Sequence, residues 1–78
     1  MILKIISAED VLFQGEVESV TLPGAMGQFT VLHNHASLIS TLVPGKIAYR
    51  TPDGHTASVD TDGGLVDVDN NVVSVCVY

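Results

Sequence analysis

The chain has 78 residues, of which 46% are hydrophobic, and nine acidic residues against three basic ones give a net charge of −6. The hydrophobic fraction excludes a disordered polypeptide, and the length predicts one small domain over residues 1–78 that buries roughly 60% of its unfolded surface. Nucleic-acid binding needs Lys and Arg against phosphate, so the shortage of basic residues argues against it and against direct insertion into an anionic lipid surface.

Short β-strands are predicted along the whole chain, because β-branched residues recur between turn signals and no stretch keeps a helical period. In chain order, the predicted strands cover residues 2–6, 11–13, 16–22, 28–32, 38–43, 46–51, 56–60, 65–69 and 73–77. A one-residue slip in the alternation predicts a β-bulge near Ser19. About nine or ten short strands predict an all-β fold, either a small two-sheet β-sandwich or a flattened barrel.

Turn residues separate these strands. Pro23-Gly24 and Pro44-Gly45 are predicted turns, and the segment 51–54 (TPDG) predicts a hairpin, because Pro presets φ and Gly supplies a positive φ. Asn70-Asn71 predicts another hairpin turn. In the last two strands the valines at 66, 68, 73, 75 and 77 are expected to face inward and the aspartates at 67 and 69 outward.

The location of the chain is constrained by its cysteine and its opening segment. Cys76 is the single cysteine, so no internal disulfide can form and a reducing compartment is expected. The opening decapeptide MILKIISAED carries Lys4 and two acidic residues, which leaves no apolar stretch for a signal peptide. No run approaches the ~18 apolar residues of a membrane span. These features favour a cytosolic-side protein.

Candidate metal ligands are present but incomplete. His33 and His35 would share one face of a strand, yet a zinc site needs three or four ligands, and His55 and Cys76 belong to other hairpins. We interpret the two histidines as turn or interface residues. The aspartates at 60, 62, 67 and 69 lack the Gly and the terminal Glu of a calcium-binding loop, so we expect them to be turn and outward strand residues.

No catalytic or cofactor site is predicted. Ser37 beside His35 lacks a third group to orient the imidazole, and Gly24 and Gly27 do not form a phosphate-binding loop. An alternative is a free-standing binding module or a lipoyl or biotinyl carrier, in which Lys46 after a Pro-Gly turn would be the modified residue. The neighbours of Lys46 lack the Met or acidic residues of such carriers. We therefore expect no enzyme, no cofactor, no metal and no small-molecule substrate.

Four segments in order resemble the epsilon subunit of bacterial and plastid F-type ATP synthases, which is equivalent to the mitochondrial delta subunit. They are IISAEDVLFQGEVESVTLPG, GQFTVLHNHASL, LVPGKI and GGLVDVDNNVVSV. The resemblance implies a non-catalytic subunit of the rotating central stalk that binds gamma on one side and the polar loops of the c-ring at the bottom. It would help couple proton flow to ATP synthesis at the cytoplasmic face of the bacterial membrane, or at the stromal face of the thylakoid.

The resemblance also names candidate contact residues. Gln28 falls where many relatives place a Glu that faces the c-ring loops, so the contact would stay polar and lose one charge. His35 and Ala36 fall in the Gly-His-Ala corner that lies near gamma in relatives. Asn34 replaces the usual Gly of that corner, and His33 replaces an ordinary residue. The candidates for partner contact are therefore Gln28, His33, His35 and Ala36.

Two departures from the family affect expectations. Leu65 stands where Phe is common after Gly-Gly, and we expect it to be a core residue. Relatives continue past the last strand with two helices that restrain ATP hydrolysis, whereas this sequence ends at Tyr78. If the chain ends naturally at Tyr78, we expect a β-sandwich without the C-terminal helical hairpin and without an inhibitory brake; if the sequence is a trimmed piece, those parts were removed.

Overall fold

The computed structural model describes residues 1–78, and every regular element in it is a β-strand. The nine strands are β1 (Ile2–Ile6), β2 (Val11–Glu16), β3 (Ser19–Gly24), β4 (Gly27–Leu32), β5 (Leu38–Leu42), β6 (Gly45–Arg50), β7 (Thr56–Thr61), β8 (Gly64–Asp69) and β9 (Val72–Val77). The all-β prediction is confirmed. No helix of the structure could therefore cross a lipid bilayer.

The strands form two layers that are joined at one corner. The first layer has the order β2-β1-β9-β8-β5, and the second has the order β4-β3-β6-β7. They meet where Gly24 of β3 pairs with Leu42 of β5. Neighbouring strands are antiparallel except β1 and β9, which are parallel. The molecule measures 28 × 24 × 18 Å. The predicted two-sheet sandwich or flattened barrel is confirmed.

The core lies between the layers and follows the predicted alternation. All five valines expected to face inward on β8 and β9 are buried, and the intervening aspartates are exposed. The 14 buried hydrophobic residues form one cluster: Met1, Leu3, Ile5, Val17, Val20, Leu22, Val31, Leu42, Ile47, Val66, Val68, Val73, Val75 and Val77. On the side away from the corner, the ring of Phe13 in β2 packs against Tyr49 in β6, with ring centroids 4.2 Å apart. This aromatic contact closes the second side of the barrel.

The β-bulge predicted near Ser19 is wrong. The slip in the alternation marks the passage of the chain from one layer to the other. Val17 donates its N–H to the carbonyl of Met1 at 2.9 Å, and Glu18 donates to the carbonyl of Arg50 in the second layer at 2.7 Å. A strand that changes layers must restart its inward and outward phase, and this restart produced the apparent slip. The register shift of the structure lies in the β1–β2 pair instead.

The turn predicted at Pro23-Gly24 lies two residues further along the chain. Both residues belong to β3, and residues 25–26 make the turn. Pro23 has no N–H to donate, and its carbonyl accepts the N–H of Val43 at 2.9 Å. Gly24 is needed for space, since an added Cβ would lie 2.7 Å from a ring carbon of Phe29. Gly27 closes the turn with a φ of 123°.

The other predicted turns lie at, or within one residue of, the turns and bends of the structure. Pro44 makes a bend, but Gly45 already begins β6. The hairpin at 51–54 is confirmed, with a φ of 90° at Gly54. The turn at Asn70 and Asn71 is also confirmed, with φ values of 49° and 62° that match the left-handed requirement of a tight hairpin turn.

Leu65 is not a core residue. Its side chain is 44% exposed on the outer face of the first layer. The expectation taken from the family is wrong because Val66 is buried, and adjacent residues of a strand face opposite sides of the sheet.

Candidate functional site

The connecting segments of the barrel collect at its two ends. We name one the Met26 end; it holds the turn at 25–26, the bend at 43–44, the turn at 62–63 and the loop 7–10. We name the other the histidine end; it holds the loop 33–37, the turn at 70–71, the link 17–18 and the hairpin loop 51–55.

The predicted contact residues are divided between these ends. Gln28 is exposed next to the turn at 25–26 and pairs with Pro23 across the β3–β4 hairpin. The other three candidates follow the far end of β4 in the loop 33–37. Five steps along an extended strand separate Gln28 from His33, which is about 16 Å. The structure therefore brings His33, His35 and Ala36 together in one loop and keeps Gln28 apart from them.

The histidine loop is not part of a strand, and Asn71 holds it. The Oδ1 of Asn71 accepts the N–H of Asn34 at 2.9 Å, and its Nδ2 donates to Nδ1 of His33 at 3.1 Å. Asn34 has a φ of 60°, a left-handed conformation that asparagine tolerates better than most residues. His35 donates its N–H to the carbonyl of Leu32 at 3.1 Å, which closes the turn.

A second side chain of the β8–β9 hairpin supports the same loop. The hydroxyl of Ser37 donates to Oδ1 of Asp69 at 2.7 Å. The ring of His35 is held locally, since its Nδ1–H donates to the carbonyl of Ala36 at 2.7 Å. The sequence analysis missed Asp69 and Asn71 as supporting residues. They lie at least 32 positions from their partners, so no local pattern could have indicated these contacts.

The Met26 end is held by backbone hydrogen bonds and has an apolar tip. Met26 is 100% exposed, and Val43 and Tyr78 are also exposed there. Ala25 donates its N–H to the carbonyl of Thr41 at 3.0 Å, so the turn is fastened to β5. Gln28 thus lies beside an exposed methionine on a well-anchored turn.

An apolar row crosses the outer face of the first layer. Ile6, Cys76 and Leu65 are direct neighbours on β1, β9 and β8, and all three project outward. Outward positions of a solvated sheet are usually polar, so apolar residues at outward positions of the predicted strands could have indicated this row from the sequence. Cys76 is exposed in this row, between the buried Val75 and Val77.

Two of the three basic side chains are paired on the outer face of the second layer. Nζ of Lys46 lies 2.7 Å from a carboxylate oxygen of Asp60, and Nε of Arg50 lies 3.4 Å from one of Glu18. Lys46 is the second residue of β6 and is not at a hairpin tip. Its position therefore gives no support to the carrier alternative, which needs a modified lysine at the tip.

The β6–β7 hairpin contains the one clearly shifted carboxyl group. Asp53 accepts hydrogen bonds from the hydroxyl of Thr51 and from the ring of His55, the latter at 2.8 Å. These bonds, the Thr51 hydroxyl first, hold the pKa of Asp53 below its ordinary value of 3.8.

Reactive groups are not assembled elsewhere. No three His, Cys, Asp or Glu side chains are grouped so that they could hold a metal ion. No buried side-chain nitrogen or oxygen lacks a hydrogen-bond partner. The four concave regions of the surface are open to solvent and lined by at most seven residues each.

Comparison with known proteins gives concordant results. The model of the family "ATP synthase, Delta/Epsilon chain, beta-sandwich domain" matches residues 1–78. The chain is 45% identical over 75 residues to the ATP synthase epsilon chain of Nitratiruptor sp., covering 96% of this chain and 58% of that protein. It is 44% identical over 73 residues to the epsilon chain of Wolinella succinogenes, covering 94% and 56%.

The fold also matches a solved structure. A chain in the cryo-EM structure of the Euglena gracilis mitochondrial ATP synthase superposes with a TM-score of 0.93 at 23% identity, covering 99% of this chain and 49% of that chain. At this identity the match establishes the fold alone. The chain spans a little over half the length of the curated relatives it matches.

Proposed function

This chain belongs to the ATP synthase delta/epsilon family, whose β-sandwich domain it matches over residues 1–78, and on that premise we propose that it is a non-catalytic subunit of the central stalk. In this role it fastens the gamma subunit to the c-ring of a proton-translocating F-type ATP synthase, and it supports the coupling of proton flow to ATP synthesis. The resemblance found in the four sequence segments is confirmed by the family match.

The observation that carries the proposal is the separation of two groups of exposed candidate residues at opposite ends of one barrel. Gln28 and Met26 lie at one end, and the loop 33–37 lies at the other, about 16 Å away along β4. A part that fastens one partner to another needs two such surfaces. We assign the Met26 end to the polar loops of the c-ring and the loop 33–37 to gamma.

The apolar row on the first layer extends the surface for gamma. Ile6, Leu65 and Cys76 present a continuous apolar strip with Lys4 and Asp67 at its border, whereas the outer face of the second layer carries two ion pairs. Interface cores are depleted of charged residues and enriched in apolar ones. The first layer therefore fits a stable partner better than the second.

The location proposed follows from the assembly. The chain would be a peripheral component on the cytoplasmic face of the bacterial inner membrane, attached through the c-ring. The relatives compared are bacterial, which favours this location over the stromal face of the thylakoid.

Binding to gamma is the direct test of the proposal. The purified chain is mixed with the gamma subunit of a bacterial ATP synthase and analysed by size exclusion. We expect co-elution, weakened by His35→Ala and unchanged by the matched control His55→Ala, since both imidazoles are exposed at the histidine end but only His35 lies in the loop 33–37. No co-elution, where the partner's own epsilon chain does bind, would overturn the proposal.

The c-ring assignment is tested in the whole enzyme. Adding the chain to membranes that contain an epsilon-depleted synthase is expected to restore ATP-driven proton pumping. Gln28→Lys should reduce that recovery, because a bulkier cation replaces the polar contact. Ser58→Lys is the control, since Ser58 is exposed on β7 of the second layer, outside both proposed contact surfaces. Equal recovery with all three forms would remove Gln28 from the contact.

A further inference from the structure

The contact between His33 and Asn71 requires a neutral imidazole ring, whereas the contacts of His35 and His55 do not. We propose that these two residues form a proton-sensitive latch on the loop 33–37, closed when the imidazole of His33 is neutral and opened when it is protonated. The consequence for gamma binding rests on the proposed function, whereas the latch itself rests on the geometry of this chain alone. Asn71 is in this view a positioning residue for the loop.

The orientation of the Asn71 amide is fixed by the backbone. Its Oδ1 accepts the N–H of Asn34 at 2.9 Å, and an N–H can only donate. The amide nitrogen must therefore point the other way, where Nδ1 of His33 lies 3.1 Å from it. Rotating the amide by 180° would set its NH2 group against the Asn34 N–H, so the rotation would lose the first bond.

This fixed amide determines which form of His33 it can bind. Because the Asn71 Nδ2 is a donor, Nδ1 of His33 must be an acceptor, which requires the neutral imidazole with its proton on Nε2. A second proton would make Nδ1 a donor and place two donors 3.1 Å apart. Neither orientation of Asn71 can then satisfy both His33 and Asn34, so protonation removes one of the two contacts.

The contacts of the two remaining histidines are kept when the ring is protonated. The Nδ1 of His35 lies 2.7 Å from the carbonyl of Ala36, and the Nδ1 of His55 lies 2.8 Å from a carboxylate oxygen of Asp53. Both partners are acceptors, so each ring must carry a proton on Nδ1 and keeps its contact when a second proton is added to Nε2. His33 is thus the histidine whose contact depends on being neutral.

Other charged groups surround the latch and must be controlled for. On the same loop lies His35, and from the β8–β9 hairpin comes Asp69, which accepts from Ser37. Ile2 donates its N–H to the carbonyl of Asn71, so the Met1 amino group and its ion-pair partner Glu16 lie close to the turn. The Glu18–Arg50 ion pair lies further away, since Glu18 precedes Ser19, which pairs with Leu32 at the end of β4. Carboxyl groups ordinarily titrate near pH 4, and imidazoles and amino termini between about pH 6 and 8.

Opening the latch loosens only half of the loop. The Ser37–Asp69 bond at 2.7 Å does not involve a histidine, and it continues to hold the end nearest β5. The residues released are those at the end nearest β4, namely His33 and Asn34. Acid therefore loosens this part of the proposed gamma contact without unfolding the barrel.

Nuclear magnetic resonance of the intact chain tests the latch directly. At pH 8 the imidazole nitrogen shifts should show Nδ1 bare in His33 and Nδ1 protonated in His35. From pH 8 to pH 5, the protection factor of the Asn34 amide should fall about 3- to 10-fold, because the Asn71 amide loses the bond to His33 that orients it and so holds the Asn34 N–H less well. A protonated Nδ1 in neutral His33, or an unchanged protection factor, overturns the latch.

Three variants separate His33 from its titrating neighbours. In H33Q the side chain cannot titrate, so the protection of Asn34 should stay within twofold across the same range. H35Q should behave as the parent chain does. In N71D the carboxylate accepts from both Asn34 and protonated His33, so protection should rise on acidification. A fall in H33Q equal to that of the parent chain would assign the effect to another group, such as the Met1 amino terminus, and would overturn the latch.

Binding to gamma then distinguishes the latch from the proposed function. The affinity of the parent chain should fall about 3- to 10-fold from pH 8 to pH 5 beyond any change seen for H33Q. An equal fall for both forms overturns the regulatory consequence. Absence of binding at every pH, with the resonance results as expected, overturns the proposed function and leaves the latch supported.

Discussion

The connections on either side of β4 are held in different ways. The turn at 25–26, before the strand, is fastened by the backbone: Ala25 donates to the carbonyl of Thr41, and Pro23 accepts from Val43. The loop 33–37, after the strand, has one backbone bond, from His35 to the carbonyl of Leu32 at the end of β4, and it is fastened to the first layer by the side chains of Asp69 and Asn71.

The difference indicates how each connection can vary. A turn fastened by backbone groups depends on glycine for close approach, and most side-chain changes on its surface leave it in place. A loop fastened by side chains can be loosened by a single substitution or by a proton. The conformation of the Met26 end is therefore expected to be insensitive to side-chain changes and to pH, whereas that of the histidine end is expected to depend on both.

The largest expected effect is that of Gly24→Ala. The new Cβ would lie 2.7 Å from both the carbonyl oxygen of Gly27 and the ring of Phe29, so the backbone must shift. We expect a loss of about 2 to 3 kcal/mol in the free energy of unfolding, measured by urea denaturation. In the control Gly15→Ala, the new Cβ lies 3.2 Å from the ring tip of Phe13, which can move aside. Equal losses in both variants would contradict a special need for glycine at the turn.

A smaller effect is expected from Asn71→Gly. Glycine keeps the positive φ of the turn but removes both side-chain bonds to the loop 33–37. Because the loop is exposed, water replaces part of each bond, and we expect a loss of about 1 kcal/mol in the free energy of unfolding. Amide exchange should be faster at Asn34 and unchanged at Ala25. Faster exchange at both ends would show that the two connections are not independent.

How much of this could be predicted depends on the range of each interaction. The inward valines and the Asn70-Asn71 turn follow from local alternation and local φ preferences, so the sequence predicted them. Pro23-Gly24 was placed in a turn because the preference of the dipeptide is local, whereas in the structure both residues pair with Gln28 and Gly27 across the β3–β4 hairpin, and Pro23 also binds Val43, 20 positions away. The contact of Asn71 with the histidine loop spans 38 positions and leaves no periodic signal. Leu65 was misplaced because the family expectation was given more weight than its outward phase.

Ser37→Ala tests the other support of the histidine loop. The hydroxyl makes one bond, 2.7 Å long, to an exposed carboxylate of Asp69. Its removal should cost about 0.5 kcal/mol, measured by urea denaturation, because both groups are solvated when apart. Combined with Asn71→Gly, the single losses should add, because the two side chains hold different ends of the loop. A combined loss larger than the sum would show that the two ends are coupled.

The smallest effect is expected at Asp53, in the neighbouring hairpin of the histidine end. The Thr51 hydroxyl and then the His55 ring lower the pKa of Asp53 when the chain is folded. A carboxyl with a lowered folded pKa stabilises the fold above its ordinary value of 3.8, and this stability is lost as the pH falls through the lowered value. Asp53→Asn should therefore lower the melting temperature slightly at pH 7, and the difference from the parent chain should vanish at acid pH. Because the side chain is exposed, the decrease in stability should be smaller than that expected for Ser37→Ala. A larger decrease in stability would show that side chains also support the β6–β7 hairpin. The contrast with the Met26 end would then include this hairpin as well as the loop 33–37.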